Sequence, residues 1–203
     1  MRAPLEDLLQ AALLMLARPL IKFHTNIMNR LIPLNEIKDF SSIATDMVEH
    51  LHRPDNLDVT EEFPATVSRY GVDRDEAIAN FEAARELYTI GSREQFIVAS
   101  GERAVGMCLI TNQIDIPDGL NPEAPNISGF IANPFRGAGL GRFSIEARMK
   151  VIKKNFHNRA WTFVKDTNLP SDHLVQSVGF RKTDREVEGW EGHHLYLFGD
   201  VEN

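Results

Sequence analysis

The sequence predicts a single α/β domain built around a strand, a glycine-rich turn and a helix. Residues 126–132 form a short apolar run that contains β-branched residues. The run ends at Asn133 and Pro134, as is typical of a strand. From Leu140 the apolar residues follow at helical spacing. A second strand at residues 160–165 follows this helix, so the two strands are expected to be parallel. A chain of 203 residues can bury the core of one such domain.

The helices and strands that precede residue 126 are predicted from their cap and turn residues. Pro33 interrupts the first strand and suits an edge position. Asp39 and Asp73 are placed to cap the two helices that follow them. The short turn at residues 100–103 joins an antiparallel pair of strands. The predicted elements are a strand at 31–37, helices at 40–51 and 73–88, and strands at 95–99 and 104–111, with loops at 52–69 and 114–125.

The remaining elements follow the central helix. In that helix one face carries apolar residues and the other carries charge. Asn168 is expected to cap a short helix that has Pro170 in its first turn and Gly179 just past its end. Residues 180–185 and 193–198 are predicted to form the last two strands.

Residues 1–27 are predicted to be a helical extension, and residues 28–203 the domain proper. The apolar run at 8–21 is shorter than a membrane span and contains Arg18 and Pro19, so no transmembrane segment is predicted. We expect an amphipathic helix that docks on the domain or on the second copy of a homodimer, and peripheral contact with a membrane is the alternative.

Charge and cysteine content narrow the classes of partner. The formal net charge of −7 argues against nonspecific nucleic-acid binding and favours a cationic acceptor. Cys108 is the single cysteine, so the sequence predicts a reducing compartment, the cytoplasm. The seven histidines and Cys108 lack metal-ligand spacing, so no metal is predicted.

The turn before the central helix, Arg136-Gly137-Ala138-Gly139-Leu140-Gly141, is the strongest candidate for a binding site. Helix N-termini carry unpaired N–H groups and partial positive charge, and glycine lets a phosphate approach closely. A Rossmann fingerprint fits poorly, because Ser144 stands where the third glycine belongs. A Walker A loop is absent, and a glycine turn without a ligand is the remaining alternative.

Two ordered segments resemble the GNAT superfamily of acyl-CoA-dependent N-acyltransferases. Arg136-x-x-Gly139-x-Gly141 resembles the R/Q-x-x-G-x-G/A pyrophosphate loop of that superfamily. The segment from Asn168 through Ser171 to Val178-Gly179-Phe180 is similar to its N-x-x-S…(L/V)-G-F segment. The likeness covers roughly residues 31–199 and is closest to the branch of ribosomal-protein N-terminal acetyltransferases.

The resemblance implies a fold and a co-substrate. The fold would be a mixed, mostly antiparallel sheet with splayed central parallel strands and helices on both faces. Acetyl-CoA would be the co-substrate, without a metal. Its pantetheine arm would pair with the central strand and reach Asn168, and its pyrophosphate would meet the loop. The implied cofactor residues are Gly129, Phe130, Ile131, Arg136, Gly137, Ala138, Gly139, Leu140, Gly141, Arg142, Asn168 and Ser171.

The resemblance also implies catalytic groups. The backbone N–H of Ile131 is the candidate for the oxyanion, and Ser171 is the candidate proton donor or sulfur hydrogen bond. Many members have a tyrosine where this chain has Val175, which cannot donate a proton. The general base stays open among the acids Glu61, Glu62, Glu146 and Asp166.

Three functions are consistent with this reading of the sequence. The first is an N-acetyltransferase that acts on a primary amine of a peptide, a protein or a small molecule. The second is a noncatalytic acyl-CoA-binding or regulatory module, which Val175 favours. The third is a protein that binds NAD or ATP with the same loop. A fold alone does not choose the acceptor.

Overall fold

In the computed structural model, the structure describes residues 28–51, 70, 73–89, 93–112, 116–185 and 189–202. They form one seven-stranded sheet with helices packed against it, which confirms the α/β class. The elements are β1 Asn29–Pro33, α1 Ser41–Leu51, α2 Arg74–Thr89, β2 Arg93–Ser100, β3 Arg103–Thr111, β4 Asn126–Ile131, α3 Leu140–Asn155, β5 Ala160–Lys165, α4 Leu169–Ser177, β6 Arg181–Lys182 and β7 His193–Phe198.

The sheet is mixed and mostly antiparallel, as expected. Its strand order is β1-β2-β3-β4-β5-β7-β6. Every neighbouring pair is antiparallel except β4 and β5, which are parallel and are joined by the crossover helix α3. The ladder between β4 and β5 contains a single residue pair, Asn126 with Trp161. The two central strands therefore meet at one end and separate beyond it.

Helices cover both faces of the sheet, because the strands alternate apolar side chains between the faces. On one face, α3 and α4 pack over the strands through Ile127, Ile145, Val164, Val175 and Tyr196, among others. On the other face, α1 and α2 pack over β2 and β3 through residues that include Met47, Phe81, Ile97 and Met107. In a smaller cluster, Trp161 and Leu197 are buried together with Leu120 and Ala124 from residues 116–124.

The helices begin and end where the sequence predicts. Asp39 accepts a hydrogen bond from the N–H of Ser41, 2.8 Å away, before α1. Asp73 accepts from the N–H groups at the start of α2. The apolar face of α3 is buried, and its charged face, Arg142, Glu146, Lys150 and Lys153, is exposed. Gly179 follows α4 with φ of 101°, the left-handed conformation in which glycine ends many helices.

The strand predicted at 95–99 is longer in the structure, at Arg93–Ser100, and two other predicted strands differ more. The first strand begins at Asn29 and stops at Pro33, which lies on the edge strand as expected and leads into a short 3-10 turn. The predicted strand at 180–185 is reduced to the two residues of β6. The chain turns away because Phe180 packs against Phe198 in the core and Arg185 donates a hydrogen bond to the carbonyl of Asp118.

Several predictions fall outside the described residues. These are the helical extension at 1–27, the loop at 52–69 with Glu61 and Glu62, and residues 114 and 115 of the second loop. They therefore stay predictions. No helix in the described ranges has the length and apolarity needed to cross a membrane.

Strands β3 and β4 lie unusually close at two glycines. A Cβ on Gly129 would lie 2.6 Å from the carbonyl oxygen of Met107. A Cβ on Gly106 would overlap the carbonyl oxygen of Phe130 and lie 2.9 Å from the Cδ1 atom of Ile131. Only hydrogen fits at these positions, so both glycines are needed to hold β4 against β3.

We expect Gly106→Ala to lower the free energy of unfolding by about 1–3 kcal/mol, because the added methyl group forces β4 away from β3. Gly106→Val should lower it further, since its side chain is larger. Urea unfolding followed by circular dichroism measures both. Equal stability of the wild type and Gly106→Ala would show that the two strands separate without cost.

Candidate active site

A cleft opens between β4 and β5 in the middle of the sheet. At its closed end, Thr162 Oγ1 donates to the carbonyl of Ile127 at 2.7 Å, beside the Asn126–Trp161 pair. Beyond this point β4 is half-buried from Ser128 to Ile131, and Gly129 is exposed although it lies in a central strand. We call this cleft the wedge. Its existence confirms the splayed parallel strands.

The backbone groups of β4 on the β5 side line the wedge. The carbonyls of Ile127 and Ile131 lie on this side, because they accept from Thr162 and from Arg136 respectively. The carbonyl of Phe130 lies on the other side, next to β3. Residues two apart in a strand direct their N–H and C=O groups to the same edge. The N–H groups of Gly129 and Ile131 therefore belong to the edge that β5 leaves open.

The glycine turn lies at the open end of the wedge. Gly137 has φ of 77° and Gly139 has φ of 81°, values that favour glycine. Gly139 is the N-cap residue of α3, so the first N–H groups of the helix follow directly. Among the described residues, no atom would lie within 4 Å of a Cβ at either glycine. The turn is thus shaped by backbone conformation, and the described part of the chain leaves the space in front of it open.

Arg136 connects the turn to β4. Its side chain is exposed, and its Nε atom donates to the carbonyl of Ile131 at 2.8 Å. This hydrogen bond ties the start of the turn to the last residue of the strand. The predicted contact of Arg136 with a phosphate stays a prediction.

The second motif lies against the first because α4 packs beside the first turn of α3. A Cβ at Gly141 would lie 3.3 Å from the Cδ2 atom of Leu174. Arg142 donates to Ser177 Oγ at 3.1 Å. The fold therefore brings together two segments that are separate in the sequence, as the resemblance requires.

The start of α4 holds the candidate hydroxyl. Asn168 caps the helix by accepting from the N–H of Ser171 at 3.2 Å, which confirms the cap. Ser171 is half-buried, and its hydroxyl makes no hydrogen bond to the part of the chain that the structure describes. Val175, which stands in the place of a tyrosine, is buried in the core. The hydroxyl of Ser171 is therefore available, whereas position 175 is structural.

A buried tyrosine that sequence analysis missed also reaches α4. The hydroxyl of Tyr196 donates to Asp172 Oδ1 at 2.6 Å. Burial and this hydrogen bond raise the pKa of Tyr196, and the same hydrogen bond lowers the pKa of Asp172. Tyr196 thus stays protonated and bound to Asp172. Alternation along residues 193–198 places this side chain on the α4 face, but it does not indicate the partner.

The four acids that are candidates for the general base lie in different parts of the chain. Asp166 follows β5, and its Oδ1 lies 3.1 Å from Nε2 of His194, on the α4 side of the sheet. Glu146 lies on the solvent face of α3, 3.5 Å from Arg142. Glu61 and Glu62 are outside the described residues. Of these four acids, the structure places Asp166 next to the start of α4 and Glu146 on the outer surface.

Arg148 is a second residue that sequence analysis missed. It lies on the buried face of α3, and its NH1 group donates to the carbonyl of Ser128 at 2.6 Å. Two longer bonds of 3.4 Å join the guanidinium to the carbonyl and hydroxyl of Ser144. Burial lowers the pKa of Arg148, and the neighbouring Cys108 thiol partly offsets this effect. A charged residue between the apolar Ile145 and Met149 was the available sequence signal.

The other side of the sheet presents an aromatic surface near the end of β5. Trp190 is 37% exposed and stacks on Phe163 at 4.3 Å between ring centroids. His193 meets the edge of Trp190 at 5.6 Å. Trp161, by contrast, is fully buried. Trp161 thus belongs to the core, and Trp190 lies at the surface.

Comparison with known proteins supports the fold through solved structures alone. No protein-family model and no curated protein sequence matches the chain. RimL, a ribosomal L7/L12 α-N-protein acetyltransferase with coenzyme A, matches with a TM-score of 0.59 and 13% identity over 86% of this chain and 94% of its own. The microcin C7 self-immunity acetyltransferase MccE, with acetyl-CoA and AMP, matches with a TM-score of 0.59 and 12% identity over 87% of this chain and 93% of its own.

A third similar structure is the ribosomal-protein-S5-alanine acetyltransferase from Vibrio fischeri, with a TM-score of 0.57 and 14% identity over 86% of this chain and 92% of its own. At these identities the similarity shows the fold. The chain has the fold of the GNAT acetyltransferases, including structures of the ribosomal-protein branch. The fold implied by the two sequence motifs is confirmed.

Tyr196→Phe should destabilise the protein more near pH 6 than near pH 3. Asp172 has a lowered pKa when folded, so the stability it gains from Tyr196 is present above its ordinary pKa and is lost as the pH falls through the lowered value. Thermal unfolding at both pH values measures the effect. Tyr70→Phe, in the aromatic cluster under α2, is the control and should show no such pH dependence. An equal effect of Tyr196→Phe at both pH values would contradict this account.

Proposed function

We propose that this protein is an N-acetyltransferase that moves an acetyl group from acetyl-CoA to a primary amine. The observation that carries the proposal is the glycine turn at the start of α3, which opens directly onto the unpaired edge of β4. Coenzyme A combines a pyrophosphate with an arm that contains two amides. An anion site next to an open strand edge matches both parts.

The proposed cofactor site follows this geometry. The pyrophosphate accepts from N–H groups between Gly137 and Arg142, and Arg136 adds positive charge. The pantetheine arm runs along β4 and pairs with the backbone from Gly129 to Ile131, and Asn168 contacts it from α4. Structures of RimL and MccE that share the fold contain coenzyme A or acetyl-CoA, which supports the proposal.

The proposed chemistry is direct attack of the amine on the thioester. A lysine-like amine is mostly protonated at neutral pH, so it must lose its proton before it attacks. The N–H of Ile131, on the open edge of β4, stabilises the oxyanion that develops on the carbonyl oxygen. Ser171 supplies a hydrogen bond or proton to the sulfur as the C–S bond breaks. The available hydroxyl of Ser171 supports this role.

The proposed acceptor is an amine of a peptide, a protein or a small molecule. The fold neighbours include acetyltransferases of ribosomal proteins and of a microcin immunity system, so the fold accommodates different acceptors. The net charge of −7 favours a cationic acceptor. Trp190 and Phe163 offer an aromatic surface on the side of the sheet opposite α4, where a cation can stack.

A cytoplasmic location and a homodimer belong to the same proposal. Cys108 is a free thiol buried in β3, which suits a reducing compartment. The homodimer depends on the apolar run within residues 1–27. Size-exclusion chromatography with light scattering, with and without those residues, measures the oligomeric state.

Val175 favours a second candidate function, a noncatalytic acyl-CoA-binding module. Its side chain is buried in the core and carries no proton to donate. This alternative predicts tight binding of acetyl-CoA without acetylation of any amine in a broad panel. The enzyme predicts both binding and transfer.

Gly139→Trp should abolish the binding of acetyl-CoA and CoA, because the indole fills the open space in front of the turn. Acetyl-CoA at about a hundred times its dissociation constant should stabilise the wild type by roughly 2.7 kcal/mol. Thermal unfolding with acetyl-CoA, CoA, NAD and ATP measures this shift.

The matched control is Gly189→Trp. Gly189 has nearly the same backbone conformation, with φ of 79°, and no atom of the described residues would lie within 4 Å of its Cβ either. Both variants carry similar backbone strain, and only Gly139→Trp should lose the shift. A shift in the wild type with NAD or ATP but not with CoA would contradict the proposed function.

Ser171→Ala should lower kcat by about a hundredfold, as expected for loss of a general acid, and leave the dissociation constant of acetyl-CoA nearly unchanged. Thr167→Ala removes an exposed hydroxyl just before the helix cap and serves as the control. Steady-state kinetics with the best amine of a panel, together with calorimetric titration, separates the two quantities. An unchanged kcat would remove Ser171 from the mechanism.

A further inference from the structure

His50 is a buried histidine that the proposed chemistry does not use. It lies in the last turn of α1 and is 1% exposed. Its Nε2 atom lies 3.1 Å from the carbonyl oxygen of Ala104, and because a carbonyl only accepts, this nitrogen carries the proton and donates. The edge of one ring meets the face of the other between His50 and Phe135, with 5.2 Å between the ring centroids. His50 therefore joins α1 to β3 and to the chain that follows β4.

Two residues of β3, Ala104 and Val105, hold both α1 and the turn that follows β4. The N–H of Ala104 donates to Asp46 Oδ2 on α1 at 2.8 Å. The carbonyl of Val105 accepts from the N–H of Ala132 at 2.8 Å, and Ala132 is the N-cap of the 3-10 turn Asn133–Phe135. Helix α1 and the 3-10 turn are therefore fixed to the same point of the sheet.

The 3-10 turn leads directly into the glycine turn. Arg136 follows Phe135, and its Nε atom donates back to the carbonyl of Ile131. The N–H groups between Gly137 and Arg142, on which the proposed pyrophosphate site depends, come next in the chain. A contact that fixes Phe135 therefore also fixes the start of this row of donors. Donors that are held in place before the ligand arrives bind it more tightly, because less conformational entropy is lost on binding.

We propose that His50 positions the glycine turn for coenzyme A through its contact with Phe135, and that bound coenzyme A therefore favours the neutral imidazole. This inference rests on the proposed function, because coenzyme A is the ligand that the turn would hold. A neutral ring fits the buried contact, whereas burial of a charged imidazolium is costly. Protonation of His50 thus favours a turn that is released from α1. Coenzyme A, which binds the fixed turn, opposes this release.

The charged groups that face His50 within the described residues belong to α1 and β3. Burial lowers the pKa of His50, and Arg103 of β3 lowers it further, whereas Asp46 and Glu49 of α1 raise it. Arg103 pairs with both acids at 2.8 Å, so the two carboxylates already have a cationic partner. The turn contributes the uncharged ring of Phe135. His50 is therefore neutral at neutral pH, and its protonation at lower pH adds a new buried charge.

The direction of the effect separates positioning from charge attraction. If protonation of His50 weakens the binding of coenzyme A, then binding must lower the pKa of His50 by the same free energy. The negative charge of the pyrophosphate acts in the opposite direction, because a nearby anion raises the pKa of an imidazole. A fall in the pKa of His50 on binding therefore indicates positioning.

NMR titration of the histidine Cε1–Hε1 signals, with and without saturating CoA, measures this effect directly. Spectra are recorded between about pH 5 and about pH 8, on both sides of the ordinary histidine pKa near 6.5. CoA should lower the pKa of His50 by about 0.7, which corresponds to about fivefold weaker binding to the protonated form. His157, an exposed histidine beyond the other end of α3, is the internal control, and its titration curve should be the same with and without CoA.

Calorimetric titration of CoA on matched variants tests the contact itself. Phe135→Leu keeps an apolar side chain but removes the ring, so the pKa of His50 should no longer respond to CoA. His50→Gln can still donate to the Ala104 carbonyl but does not titrate. Between about pH 8 and about pH 5 the wild type should therefore lose about threefold more affinity than His50→Gln. His157→Asn removes an exposed histidine and should behave as the wild type.

Three outcomes would overturn the inference. The first is a wild-type His50 whose pKa rises when CoA binds, or whose titration CoA leaves unchanged, and this result is decisive even if the variants fail to fold. The second is a response to CoA that persists in Phe135→Leu. The third is a wild type that loses no more affinity in acid than His50→Gln. If the wild type binds no CoA at any pH, the proposed function itself fails.

Discussion

The site depends on the single residue pair, Asn126 with Trp161, that joins β4 to β5. A central strand is normally paired along both edges, which leaves no backbone group for a ligand. Here β5 departs after one pair, and β4 keeps one free edge in the interior of the sheet. The close contact of β4 with β3 at Gly106 and Gly129 holds the strand in place without β5. The close contact of β4 with β3 thus allows the β5 edge of β4 to stay unpaired.

The wedge leads directly into the glycine turn, and backbone N–H groups line both. The strand ends at Ile131, whose carbonyl is bound by Arg136, and α3 begins a few residues later. Donors of the free strand edge and donors of the helix start therefore form one continuous surface. The packing of α4 against α3 places Leu174 and Ser177 beside the start of α3. A long ligand with an anionic centre and amide groups fits such a surface better than a compact one.

The sequence predicts well what local patterns control. Residues 160–165 and 193–198 have the predicted bounds because each apolar run is flanked by turn residues, and α3 begins at Leu140, directly after Gly139, as predicted. The ordered motifs also indicated the fold. The separation of β4 from β5 was implied only by the resemblance. The Tyr196–Asp172 bond and the burial of Arg148 were not predicted, because each depends on contacts between elements distant in the chain. The short β6 has the same cause, since the core contact of Phe180 and the bond of Arg185 end the strand.

Residue-resolved amide hydrogen exchange, measured by NMR with and without saturating CoA, tests the central claim most directly. If the arm of coenzyme A pairs with the free edge of β4, exchange of the Gly129 and Ile131 amides should slow strongly, together with amides between Gly137 and Arg142. Amides in β1 should not change. Binding of CoA that leaves the exchange of Gly129 and Ile131 unaltered would contradict the account, because the ligand would then lie outside the wedge.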